Sequence, residues 1–184
     1  MTLRFPKAVL PVLALGLSPA LLAPLLPAAA NAAAAEPVLL GSFRDWSAFQ
    51  LTEADGTKAC WMASRPKSQS GDPAKRGEVF ALVTHRPAEK ALDVISVLGG
   101  YTYDKDKPVT LKVGRESFTL VGDGDTAWAR DAQTDQAVSQ AIRHGSTMVV
   151  TATTSRGSRT SDTYSLAGSG AAYQAMSRAC GIGP

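Results

Sequence analysis

The feature that most constrains this chain is a rhythm: from about residue 45 onward, short β-patterned runs are separated by turn chemistry at close intervals. Asp45 to Thr52 alternates, with Trp46, Ala48 and Gln50 on one face and Phe49 and Leu51 on the other. Ala54-Asp55-Gly56 then supplies the left-handed positions of a tight hairpin, and Lys58 to Arg65 returns as its partner. Further runs lie at Val79 to His85, Leu92 to Leu98, Val109 to Val113, Ser117 to Val121, Thr126 to Ala129, Thr147 to Thr154 and Arg159 to Ser165. Gly114-Arg115-Glu116, Asp123-Gly124-Asp125 and Ser155-Arg156-Gly157-Ser158 punctuate them. Arg65 to Gly77 is polar and aperiodic and reads as a mobile loop.

Two stretches break the rhythm. In Thr134 to His144, Ala137, Val138, Ala141 and Ile142 fall on one helical face. Asp131 or Thr134 is placed to cap this helix, and Gly145 to end it in the left-handed conformation. Gly170 to Cys180 carries Ala172, Met176, Ala179 and Cys180 as a stripe able to lie flat on a sheet. These elements predict a mainly β fold, an antiparallel β-sandwich or flattened barrel with one internal helix and a C-terminal helix.

The first residues carry a different message. Arg4 and Lys7 precede an Ala/Leu/Pro-rich run to Leu26, and Ala30-Asn31-Ala32 offers the small-x-small pattern that a signal peptidase cuts. Pro11, Pro19, Pro24 and Pro27 argue against a retained membrane helix, and no charged stop-transfer cluster follows. The expected organisation is therefore a cleavable signal at 1–32 and a single domain at 33–184. Without a twin-arginine pair, export proceeds unfolded to the periplasm or beyond. Cleavage removes two basic residues and no acid from the 19 basic and 16 acidic residues of the whole chain, leaving the mature protein close to neutral. Lys58, Arg76, Lys112 and Arg159 are scattered among acids, so the concentrated positive face that nucleic acid demands is missing.

Export also bears on the two cysteines, Cys60 and Cys180, since disulfides persist outside the cytoplasm. One intramolecular pairing is available and is preferred over two buried thiols or a bridge between chains.

Chemistry-bearing groups are sparse. His85 sits beside Arg86, which disfavours its protonation, and His144 sits at a helix end. Gly168-Ser169-Gly170 lacks the spacing of a nucleophile elbow and reads as a helix cap. The pairs Asp104/Asp106 and Asp123/Asp125 read as turns, because no EF-hand glutamate follows either. No motif for a metal or cofactor is present in the sequence, and no catalytic residue is assigned. Of the aromatics, Trp46, Trp61 and Trp128 read as core fillers. Tyr101 and Tyr103, flanked by glycines and charges, form the candidate binding surface together with His85, Arg86 and Glu89.

Several stretches carry a resemblance when taken in order. They are Asp45-Trp46, Val83 to Lys90, Gly122 to Asp131, Thr153 to Gly157, and Asp162 to Gly168 followed by the Ala-rich helix. Over about Gly41 to Cys180 the chain resembles the invasion-associated locus B family of Gram-negative envelope proteins. It departs from invasion-linked members, which carry further cysteines near the first Trp and in the stretch matching Thr126 to Arg130. The resemblance implies a signal-bearing periplasmic or outer-envelope β-sandwich with no catalytic residue set. The function expected is therefore a non-enzymatic exported protein that binds an envelope or host-surface macromolecule. The alternatives are a periplasmic hydrolase with a Ser/His/Asp site assembled in space, or a small-ligand carrier using the sandwich interior.

Overall fold

The computed structural model describes residues 36–71 and 76–183, so the expected signal at 1–32 lies outside the described residues. Among the described residues, eleven strands form one antiparallel sheet, in the order β1-β2-β3-β5-β6-β9-β8-β7-β10-β11-β4. The strands are β1 (Val38–Phe43), β2 (Trp46–Thr52), β3 (Lys58–Ser64), β4 (Ser68–Ser70), β5 (Phe80–Arg86) and β6 (Ala91–Leu98). They continue as β7 (Val109–Val113), β8 (Glu116–Asp123), β9 (Thr126–Trp128), β10 (Thr147–Thr153) and β11 (Arg159–Ser165). The ends do not meet as a barrel. The sheet instead folds at β8, which pairs with β9 in one layer and with β7 in the other, giving a larger layer β1-β2-β3-β5-β6-β9-β8 and a smaller one from β8 to β4. Both layers feed one hydrophobic core.

Register follows from which residues need burial. Trp46, Ala48, Cys60, Met62, Ala81, Val83, Ile95 and Val97 project to the inner side of the larger layer and are essentially fully buried. The smaller layer answers with Val109, Leu111, Met148, Val150 and Tyr164. Trp46 ties the layers together, its indole N–H donating to the Ser165 carbonyl at 3.0 Å.

Helices α1 (Ala132–His144) and α2 (Ser169–Ala179) cover the part of the inner face that the smaller layer does not reach. Asp131 caps α1, its carboxylate accepting from the Thr134 N–H at 2.7 Å. β9 pairs with β6 only from Ser96 to Leu98, which leaves the Ile95 N–H to be taken by the Asp135 carboxylate of α1 at 2.9 Å. Ala172, Met176 and Cys180 turn toward the sheet as the stripe predicts, and a disulfide joins Cys180 to Cys60 across a Cα separation of 6.0 Å.

One strand was not anticipated, and three local expectations need correction. Val38–Phe43, unassigned in the sequence reading, is the edge strand β1, its alternation masked by a bulge between Leu39 and Gly41. The loop expected at Arg65 to Gly77 contains β4, where Gln69 pairs opposite Asp162. Gly145 is extended rather than left-handed; its lack of a side chain serves close packing, since a Cβ would collide with a Val113 methyl carbon. Ser169 does not cap its own helix. Gly168 holds that position, and the buried Ser169 hydroxyl donates to the Ile142 carbonyl near the end of α1 at 2.8 Å.

Candidate functional site

The candidate binding surface divides when placed on this frame. Tyr103, expected at the surface, is 3% exposed, and His85 is fully buried. His85 occupies an inward-facing strand position and Tyr103 an isolated bridge opposite Thr154, placements that their glycine and charged neighbours disguise. Tyr103 donates to the Val97 carbonyl at 3.3 Å, and its ring meets Tyr101 edge-on at 5.1 Å. Tyr101 is half-buried and its hydroxyl reaches Thr160. Arg86 and Glu89 do remain accessible, with Arg86 bridging Glu53 at 2.7 Å and Glu89 at 3.3 Å.

The surface the sequence reading missed lies on the outer side of the larger layer. Directly paired residues share a face, and the registers place Leu39, Phe49, Trp61, Thr84 and Val94 in one row across five strands. Ala63, Leu82, Ser96, Trp128 and Val121 form the next row. Leu39 is 55% exposed, Trp128 39% and Val121 36%. Phe49 and Trp61 stack at 5.5 Å, and Phe80 lies under the Arg65 guanidinium at 4.3 Å. Trp61 and Trp128, taken as core fillers, therefore belong to this open face. A signal was available: Phe49 and Leu51 alternate with Trp46 and Ala48, so the strand is apolar on both sides, as strands covered on both sides are.

Behind this face, under α2, the fold gathers His85, Asp93 and Ser177. His85 Nε2 lies 3.2 Å from the Ser177 hydroxyl, and His85 Nδ1 accepts the Asp93 backbone N–H at 3.0 Å. A ring nitrogen that accepts carries no proton, so Nε2 holds it and donates to Ser177. A general base needs the opposite tautomer, with Nδ1–H held by a carboxylate. The Asp93 carboxylate is turned instead to the Ser139 hydroxyl at 2.7 Å. Burial depresses the His85 pKa further, against the attraction of Asp93. The arrangement is a neutral strut between sheet and helix rather than an activated serine. Asp93 reaches this position because β6 bulges opposite His85, leaving Asp93 at a positive φ of 61°.

Tyr173 packs edge-on against His85 at 5.4 Å and carries the Arg143 guanidinium over its face at 4.1 Å. Burial first, then the neighbouring Asp93 carboxylate, pushes the Tyr173 pKa up. Arg143, Tyr173, Ser177 and Arg178 line an open cleft of about 510 Å³ between the end of α1 and α2. His144, which also borders it, sits at 2.9 Å from the Gln140 carbonyl. Among the described residues no group of three or more His, Cys, Asp or Glu is placed to hold a metal. No helix among them is long and apolar enough to cross a membrane.

The fold and its surfaces define a class: a two-layer antiparallel β protein with one sheet face clothed by a disulfide-pinned helix and the other open and apolar. The chain belongs to the invasion associated locus B (IalB) protein family, whose model matches residues 46–177. No curated protein and no solved structure shows a significant match.

Proposed function

We propose that the chain is an exported, non-enzymatic envelope protein that acts by binding another macromolecule through the outer face of its larger layer. The observation that carries this is the largely apolar outer face from Leu39 on β1 to Val121 on β8, interrupted by Ser47, Thr84 and Ser96, with nothing among the described residues packed over it. Contiguous exposed apolar surface of this kind marks interaction sites more often than it marks ordinary surface. Arg65, Glu78, Arg86 and Glu53 surround it with paired charges, a polar rim about an apolar centre. Export to the envelope rests on the signal pattern at 1–32, supported by family membership and by the disulfide. The tautomer of His85 supports the non-enzymatic reading over a Ser/His/Asp hydrolase. The third alternative, a carrier using the sandwich interior, gains nothing from a core filled by Tyr103, Leu111, Tyr164 and Met148.

The test is cross-linking in intact cells, with the mature protein as bait and mass spectrometry as readout. Wild type should recover one partner reproducibly, as should His85→Gln and His144→Gln. A folded Trp61→Ser/Trp128→Ser double variant should lose it. Equal recovery by the double variant, or loss of the partner in either histidine variant, would overturn the proposal.

A further inference from the structure

The cleft between α1 and α2 lies on the opposite side of the larger layer from that apolar face, and its chemistry is different. One wall is a single helical face of α2, where Gly170, Tyr173, Gln174, Ser177 and Arg178 recur at three- and four-residue intervals. The other wall is the last turn of α1, ending in Arg143 and His144. Among the described residues, Arg143, His144 and Arg178 line the space and no carboxylate does.

Arg143 is the residue that points to a ligand. Its guanidinium rests on the Tyr173 ring at 4.1 Å, which fixes its plane while leaving its hydrogen-bonding edges unused. Its Nε is buried without a hydrogen-bond partner, and among the described residues Arg143 joins no ion pair. A buried donor left unmatched costs stability and calls for an explanation. The inward-facing Arg76 shows how this fold satisfies such a group, with Asp162 and the Gly99 carbonyl filling its fork. Asp93 is the nearby acid, but its carboxylate is engaged by Ser139. Ser177, buried at the base of the cleft, is already satisfied. Because its oxygen already accepts the His85 Nε2–H, its own proton is turned away from the ring, toward Tyr173.

We propose that this cleft binds a small organic ligand through a carboxylate or phosphate group, taken by the Arg143 guanidinium and supported by Arg178. Guanidinium forks pair with either oxyanion in a bidentate, charge-assisted manner.

The folded, disulfide-bonded protein is titrated separately with inorganic phosphate and with citrate, read by NMR of the arginine Nε–Hε signals. The Arg143 signal should move saturably with at least one anion, with a dissociation constant of about 1 mM or tighter. Saturation by phosphate alone points to a phosphate ester, and by citrate alone to a carboxylate. In the Arg143 variants, which lack that reporter, binding is followed through the Arg178 signal; Arg143→Met, which keeps the aliphatic stem, should weaken binding at least about tenfold. Arg143→Lys keeps the charge but not the fork and should still lose about fivefold. Arg159→Met on the far layer should bind as wild type. The site is refuted if neither anion saturates the Arg143 signal, if both Arg143 variants bind normally, or if all arginine signals drift together.

Discussion

His85 shows how far a single residue departs from what its neighbours suggest. Its sequence setting, beside Arg86 and a Pro-containing turn, reads as a solvated loop, yet strand parity sends Arg86 outward and His85 inward. The expectation that it resists protonation holds, with burial rather than Arg86 as the leading cause. This has a consequence for pH. In the unfolded chain His85 titrates near its ordinary value of 6.5, whereas the folded protein holds it neutral to lower pH. Between those two values the unfolded state binds the extra proton, so stability falls as pH drops below about 6.5. Asp135 opposes this at lower pH, because burial raises its pKa and the native state takes up the proton first. Thermal melts from pH 7.5 to pH 5 should therefore decline for wild type and decline less for His85→Gln, whose amide can still donate to Ser177. Equal slopes in the two proteins would mean that His85 does not govern this range.

At the scale of elements, the strands and both helices were legible because their signals are local: Asp-Gly turns, β-branched alternation and an aspartate cap. What escaped were elements whose pairing alone defines them. β4 is three polar residues with no periodicity, made a strand only by β11 beside it. β1 hides behind a bulge. The open apolar face escaped for a related reason, since alternation says which residues share a side but not which side is covered. Helix α2 lies between these cases. Its inward stripe was readable, while the Ser169 contact to α1 and the cleft beyond it depend on where α1 ends. The disulfide fixes α2 to β3 at Cys60 and closes a loop of 120 residues in sequence separation. The chain-entropy account gives such a bridge about 4 to 5 kcal/mol at most. For a domain of this size that corresponds to roughly 8 to 20 °C in melting temperature. Cys60→Ser or Cys180→Ser should lower the melting point under oxidising conditions to that of the reduced wild type. A melting point unchanged by either substitution would show that packing of Ala172 and Met176 alone secures the helix.

The whole molecule depends on holding two layers face to face, and its most demanding contact is a charge pair inside them. Arg76, just before β5, reaches Asp162 on β11 with side-chain exposures of 8% and 2%. Its Nε donates to the Gly99 carbonyl at 2.7 Å and its guanidinium lies 5.1 Å from the Tyr101 ring centre. Tyr103 and Tyr164 surround the pair, and burial pushes both phenols far above their ordinary pKa. Two opposite charges taken out of water together roughly offset their own desolvation, so the pair is weak evidence of net stabilisation. Removing one partner is another matter, because the remaining charge stays buried without compensation. Asp162→Asn should therefore cost about 3 to 5 kcal/mol in urea unfolding, and Arg76→Met a similar amount. The double variant Arg76→Met/Asp162→Leu should be more stable than either single change, since both charges leave together and the site becomes apolar. The strong non-additivity is what identifies charge compensation as the role of the pair. A double variant as damaged as the sum of the singles would instead mean that the layers are held here by independent hydrogen bonds, with the Gly99 and Tyr101 contacts of Arg76 separable from its charge.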